Sequence, residues 1–223
     1  VTISGTVAED SVLTAANTLA DEDGMGTVTY TWSNGATGAT VTLAQSDVGN
    51  AMTVTAAYTD AQGGSESVAS SATAAVANVN DDPTGDVTIS GTVAEDSVLT
   101  AANTLADEDG MGTVTYTWSN GATGATVTLA QSDVGNAMTV TAAYTDAQGG
   151  SESVASSATA AVANVADATT GTVTVTGDSY DEAVLTADTS GLSDEDGVGT
   201  FAYQWSNSAG DITGATSSTY TIP

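Results

Sequence analysis

The stretch Thr27-Val28-Thr29-Tyr30-Thr31-Trp32-Ser33 decides the fold class. Val28, Tyr30 and Trp32 alternate with threonines, so three large apolar side chains share one face and hydroxyls share the other. A helix would need apolar residues three and four apart; a period of two is a half-buried strand. Outward from it, residues 1–5 and 12–16 read as two earlier strands and 40–43 as a short one that follows. Residues 51–58 carry Met52, Val54, Ala56 and Tyr58 on one face, and 67–79 close the pattern as one or two strands. Clusters of Gly, Asp, Asn and Ser separate these runs at short, regular intervals, the spacing of an all-β antiparallel sandwich.

The whole pattern then repeats. Val1 to Val79 recurs without a change at Val87 to Val165, and a diverged copy starts at Val173. A period of 86 residues is too long for a solenoid turn and suits one small domain per repeat. The expected organisation is a repeat at 1–79, a linker at 80–86, a repeat at 87–165, a linker at 166–172 and an incomplete repeat at 173–223. The last stops partway through the pattern, so the chain is expected to belong to something longer.

Composition narrows the chemistry. Lys, Arg, His and Cys are all absent, against 28 Asp and Glu, for a net charge of −28. Nucleic acid is excluded as a partner, because phosphate neutralisation needs Lys or Arg, and anionic membrane surfaces are disfavoured for the same reason. No apolar run is long enough to span a bilayer. A disordered acidic tail is the rival reading; an apolar content of 40% with regularly placed Trp, Tyr, Met and Val argues against it. Without His, Cys, Lys or Arg, only paired carboxylates could do acid–base or nucleophilic work. They sit in turn-like segments copied from repeat to repeat, so no enzyme is expected.

Those carboxylates do suggest a metal. Asp21, Glu22 and Asp23 precede Gly24; Asp107, Glu108 and Asp109 recur in the second repeat, and Asp194, Glu195 and Asp196 in the third. This loop should share an end of the domain with the loop that starts at Asp60, repeated at Asp146. The linker Asn80-Asp81-Asp82-Pro83 enters at the same end, and resembles the acidic, proline-ended linkers of cadherins. Together they supply the hard oxygens that calcium takes in sixes to eights. The four-residue motif lacks EF-hand spacing, and the plainer reading is a solvated acidic turn. At the second linker Ala166-Asp167-Ala168 replaces Asn80-Asp81-Asp82, so weaker calcium binding is expected there. Glu9 and Asp10, with Asp47, should lie at the opposite end of the repeat.

Tyr30-Thr31-Trp32, Gly38-Ala39-Thr40 and Asp47-Val48-Gly49 resemble bacterial Ig-like repeats. So do Tyr203-Gln204-Trp205 and the run from Ile212 to Thr216 that leads to Tyr220. Such repeats occur in giant surface proteins, including calcium-dependent adhesins of the RTX type. The resemblance implies tandem Ig-like sandwiches in a linear array, at a bacterial surface or outside the cell. It implies a non-catalytic spacer, or stalk, whose partners are its neighbouring repeats. A self-assembling filament or surface-layer subunit, touching other copies of itself, is the alternative; a carbohydrate-binding module is a second. The sequence departs from the wider pattern in lacking the sandwich disulfide, the corner tyrosine and the glycine-rich RTX nonapeptides.

Overall fold

The computed structural model describes residues 1–223. In the first repeat the strands are β1 (Thr2–Ser4), β2 (Val12–Ala16), β3 (Thr29–Trp32), β4 (Thr40–Thr42), β5 (Val54–Thr59) and β6 (Ser65–Ala69). They form two antiparallel sheets in the orders β1-β2-β4 and β3-β5-β6. Leu13 pairs with Val41 in one; Trp32 pairs with Val54, and Tyr30 with Ala56, in the other. The alternation that makes β3 a strand also aims Trp32 inward, where it is 2% exposed. Around it lie Leu13, Val41, Leu43, Met52, Val54 and Val76, with Tyr30 packed at the margin. The buried indole N–H donates to the Gly38 carbonyl at 2.9 Å, so the one polar atom of the ring is satisfied.

The segment expected as closing strands behaves differently. β6 ends at Ala69; beyond it the Ser70 and Thr73 N–H groups still donate to the Val54 and Met52 carbonyls, but the return bonds use side chains, Val54 N–H donating to Ser70 Oγ and Met52 N–H to Thr73 Oγ1. Hydroxyls stand in for carbonyls as the acceptors, so the regular ladder ends there. The chain then crosses to the other side, where Val76 N–H donates to Asn50, Ala77 N–H to Val7, and Glu9 N–H to Ala77. This crossing sets Asn78 and the linker beside Glu9. A 3-10 turn at Gln45–Asp47, also absent from the sequence reading, precedes it.

The second repeat contains β7 (Val87–Ser90), β8 (Val98–Asn103), β9 (Thr115–Trp118), β10 (Thr126–Thr128), β11 (Val140–Thr145) and β12 (Ser151–Ala155), in the sheet orders β10-β8-β7 and β12-β11-β9. The third contains β13 (Thr174–Thr176), β14 (Val184–Asp188), the short hairpin β15 (Ser206–Asn207) and β16 (Gly210–Asp211), and β17 (Thr219–Thr221), which pairs with β14. Here Trp205 is only half-buried and stacks on Tyr220, ring centroids 5.6 Å apart. By backbone proximity the chain divides into two compact units. The first is Val1–Thr88, Ala102–Thr117 and Val140–Ser156; the second is Ile89–Ala101, Trp118–Thr139 and Ser157–Pro223.

Candidate metal centre

Within the first unit, the linker lies on the segment that leads into the second repeat's acidic loop. Thr84 and Ala106 exchange backbone hydrogen bonds at 2.8 and 2.9 Å, and Asp86 N–H donates to Thr104 Oγ1. Gly85, at φ +95°, sits where a Cβ would strike the Thr104 carbonyl; close approach demands glycine there. Asp81 N–H then donates to Asp109 Oδ2 at 2.9 Å. Asp107 closes its own turn by accepting from Asp109 N–H, and its other oxygen takes the Tyr144 hydroxyl at 2.5 Å. With both neighbours engaged, Glu108 is left exposed beside the linker.

The third member comes from the preceding repeat. Asp10 adopts a left-handed backbone at φ 57°, which Asp tolerates, and the tight turn leaves Glu9 only 2% exposed. One carboxylate oxygen each from Glu9, Asp81 and Glu108 lie within 4.8 Å of one another. Glu9 Oε2 and Asp81 Oδ2 are buried without a hydrogen-bond partner. Burial pushes the Glu9 carboxyl above the usual range despite the Val79 N–H, and the charges of Asp81, Asp109 and Asp10 add to it. Asp81 is raised by burial and then by Glu108, Asp10, Asp109 and Asp107. No basic side chain exists in the chain to relieve this repulsion.

The second unit contains the counterpart: Glu95, Asp167 and Asp196, again within 4.8 Å. Asp167 N–H donates to Asp196 Oδ2 at 2.9 Å, and Val165 N–H to Glu95 Oε2 at 3.3 Å. Thr170 and Ser193 exchange backbone hydrogen bonds in the manner of Thr84 and Ala106, and Thr169 Oγ1 donates to Asp194. Glu95 and Asp167 are likewise raised, each chiefly by burial.

Of the residues singled out in the sequence, Asp81, Glu108 and Asp196 enter these groups. Asp82 and Glu195 do not, and Asp107, Asp109 and Asp194 serve as hydrogen-bond acceptors beside them. Asn80 donates to Glu152 at 2.7 Å, while Asp146 closes its own loop by accepting from Gln148 and Gly150. In the first repeat Asp21 accepts from Tyr58 and Asp23 N–H, Asp60 accepts from Gln62 and Gly64, and neither these nor Glu22 and Asp23 belong to either group. The bond to Asp21 holds the Tyr58 hydroxyl up at about 12. Burial, then the bond to Asp107, raises Tyr144 as well.

Sequence reasoning set Glu9 apart with Asp10 and Asp47 and left Asp167 alone in its linker; it did not bring Glu9, Glu95 or Asp167 to the acidic loop that follows. The signal was present: the end of a repeat opposite its own acidic loop is the end that meets the next linker. Asp47 does not join Glu9. It is buried, accepting from Asn34 Nδ2 at 3.1 Å and from Ala44 N–H at 3.1 Å, and so locks the 3-10 turn. Carboxylates without a nucleophile or base nearby are hard oxygen donors, and orphaned buried oxygens fit a hard divalent cation. Trp32 and Met52 are buried and Tyr30 and Tyr58 half-buried, so these four side chains build core and not an exposed platform.

No protein-family model and no curated protein matches the chain. Among solved structures, it is similar to the crystal structure of a tetra-tandem repeat in the extending region of a large adhesion protein. Identity is 20% and the TM-score 0.23, over 97% of this chain and 62% of that one. The chain thus spans less than two thirds of that structure's length.

Proposed function

We propose that this chain is a non-catalytic spacer of tandem Ig-like repeats, one per 86-residue period, in the stalk of an extracellular or bacterial cell-surface protein. Calcium stiffens its junctions. The observation that carries this reading is the origin of each carboxylate group. One member comes from the turn of the preceding repeat, one from the linker and one from the acidic loop that follows: Glu9, Asp81 and Glu108, then Glu95, Asp167 and Asp196. A divalent ion there ties three segments that otherwise repel, and its binding stabilises the ordered junction by mass action. Because Asp82 stands outside the first group, its replacement by Ala168 removes no member at the second junction, and both junctions take the ion.

Thermal unfolding of the whole chain in calcium and in chelator tests this. The reading expects calcium to raise the transition, and Glu9→Gln with Glu95→Gln to diminish the rise. Identical melting with and without calcium would overturn it.

A further inference from the structure

The first two repeats are identical in sequence, so differences in burial between them report what the linker covers. Asp23 is exposed whereas Asp109 is 2% exposed; Asp60 is half-buried whereas Asp146 is 6% exposed. Burial leaves Asp109 Oδ1 and Asp146 Oδ2 each without a hydrogen-bond partner. Neither belongs to the group of Glu9, Asp81 and Glu108.

The Asp146 oxygen lies beside a glycine. A Cβ on Gly150 would overlap both Asp146 Oδ2 and Asn80 Oδ1, so the linker amide and the loop carboxylate converge on the same small space. At the matching position of the first repeat, Gly64 faces Asp60 alone. Asp109 is bracketed between the two: its carboxylate accepts from Asp81 N–H, next to Asn80, and its carbonyl from Ala147 N–H, next to Asp146. Asn80 Nδ2 is committed to Glu152 Oε1 at 2.7 Å, which turns its oxygen toward Asp146. Reversing the amide would only transfer the conflict, setting its oxygen against Glu152. In either orientation one carboxylate faces an acceptor, and the chain has no basic side chain to offer.

We infer that Asn80, Asp109 and Asp146 form a second seat for a divalent cation at the first junction, separate from the Glu9 group. Two carboxylates balance the charge of the ion, and the amide oxygen is a neutral hard ligand of the kind calcium accepts. The second junction lacks this seat, because Ala166 stands where Asn80 does in the first linker. The inference goes beyond the proposed stiffening: it requires a cation at these three residues whether or not Glu9 ligates one.

Calcium titration of the whole chain by calorimetry separates the two. Asp146→Asn keeps an oxygen for its own loop and should lose one molar equivalent of calcium. Gly150→Ala, which fills the cradle, should lose the same equivalent, and so should Asn80→Ala in the exposed linker should either of the others fail to fold. Asp60→Asn and Gly64→Ala, their twins in the first repeat, should leave the stoichiometry unchanged. Glu9→Gln should remove a different equivalent, so that Glu9→Gln with Asp146→Asn loses two. Folded Asp146→Asn or Asn80→Ala chains that titrate like the parent would overturn the second seat and leave the Glu9 reading standing. Loss on Glu9→Gln being absent while Asp146→Asn loses one would do the reverse.

Discussion

Replacing Trp32 by Ala probes the packing on which each repeat depends. The ring is 2% exposed and enclosed by Leu13, Val41, Leu43, Met52, Val54 and Val76. A buried aromatic removes about 150–250 Å² from water, worth about 4–6 kcal/mol at ~25 cal/mol/Å². Measured truncations of buried Phe and Trp cluster at about 3–5 kcal/mol, because the cavity closes only in part. The lost donor to the Gly38 carbonyl adds little, since a turn carbonyl finds water. The expected cost of about 4 kcal/mol is most of the stability of a small domain. Urea denaturation followed by far-ultraviolet circular dichroism gives the assay, with Trp118→Ala and Trp205→Ala as companions. Trp118 is also 2% exposed and should cost as much as Trp32; half-buried Trp205, stacked on Tyr220, should cost about 1–2 kcal/mol on the same area scale. A Trp32→Ala cost below about 1 kcal/mol, or one equal to that of Trp205→Ala, would refute the assigned facing of β3.

Glu9→Gln should change sign with metal: it relieves repulsion and raises the melting temperature in chelator, yet lowers it in saturating calcium, as thermal melts in both conditions will show. Asp47→Ala removes the acceptor of Asn34 and Ala44 N–H from a residue 5% exposed, and should cost about 1.5–3 kcal/mol by urea denaturation, independent of calcium. Acid should help the metal-free chain. Glu9, Glu95, Asp81 and Asp167 sit above their ordinary values of 4.5 and 3.8, so the folded state binds protons more tightly than the unfolded. In chelator that contribution is complete below those ordinary values and lost as pH rises through the folded ones, a fall measurable by melts from acid to neutral pH.

The sheets were readable because threonine and large apolar residues alternate at 27–32 and because Met52, Val54, Ala56 and Tyr58 share one face of 51–58, and β2 falls at residues 12–16 as the pattern places it. The end of the repeat was not readable, because Ser70 and Thr73 look like ordinary strand residues until their hydroxyls are seen to replace backbone partners. The acidic loops and linker announced a charge problem at the junction, but not which carboxylates meet. Glu9 is far from Asp81 in sequence and reaches it only through the crossing of residues 75–77. Nor could any local reading separate Asp109 from Asp23, which share identical surroundings in sequence and differ only in what lies over them.

The central claim is that cations fix the junctions. Small-angle scattering, or single-particle imaging, of the whole chain in calcium and in chelator tests it most directly, with Glu9→Gln and Glu95→Gln each measured alone. The account predicts a narrower distribution of inter-repeat angles in calcium, with each substitution widening the distribution at its own junction only. Equal distributions with calcium and with chelator would contradict it.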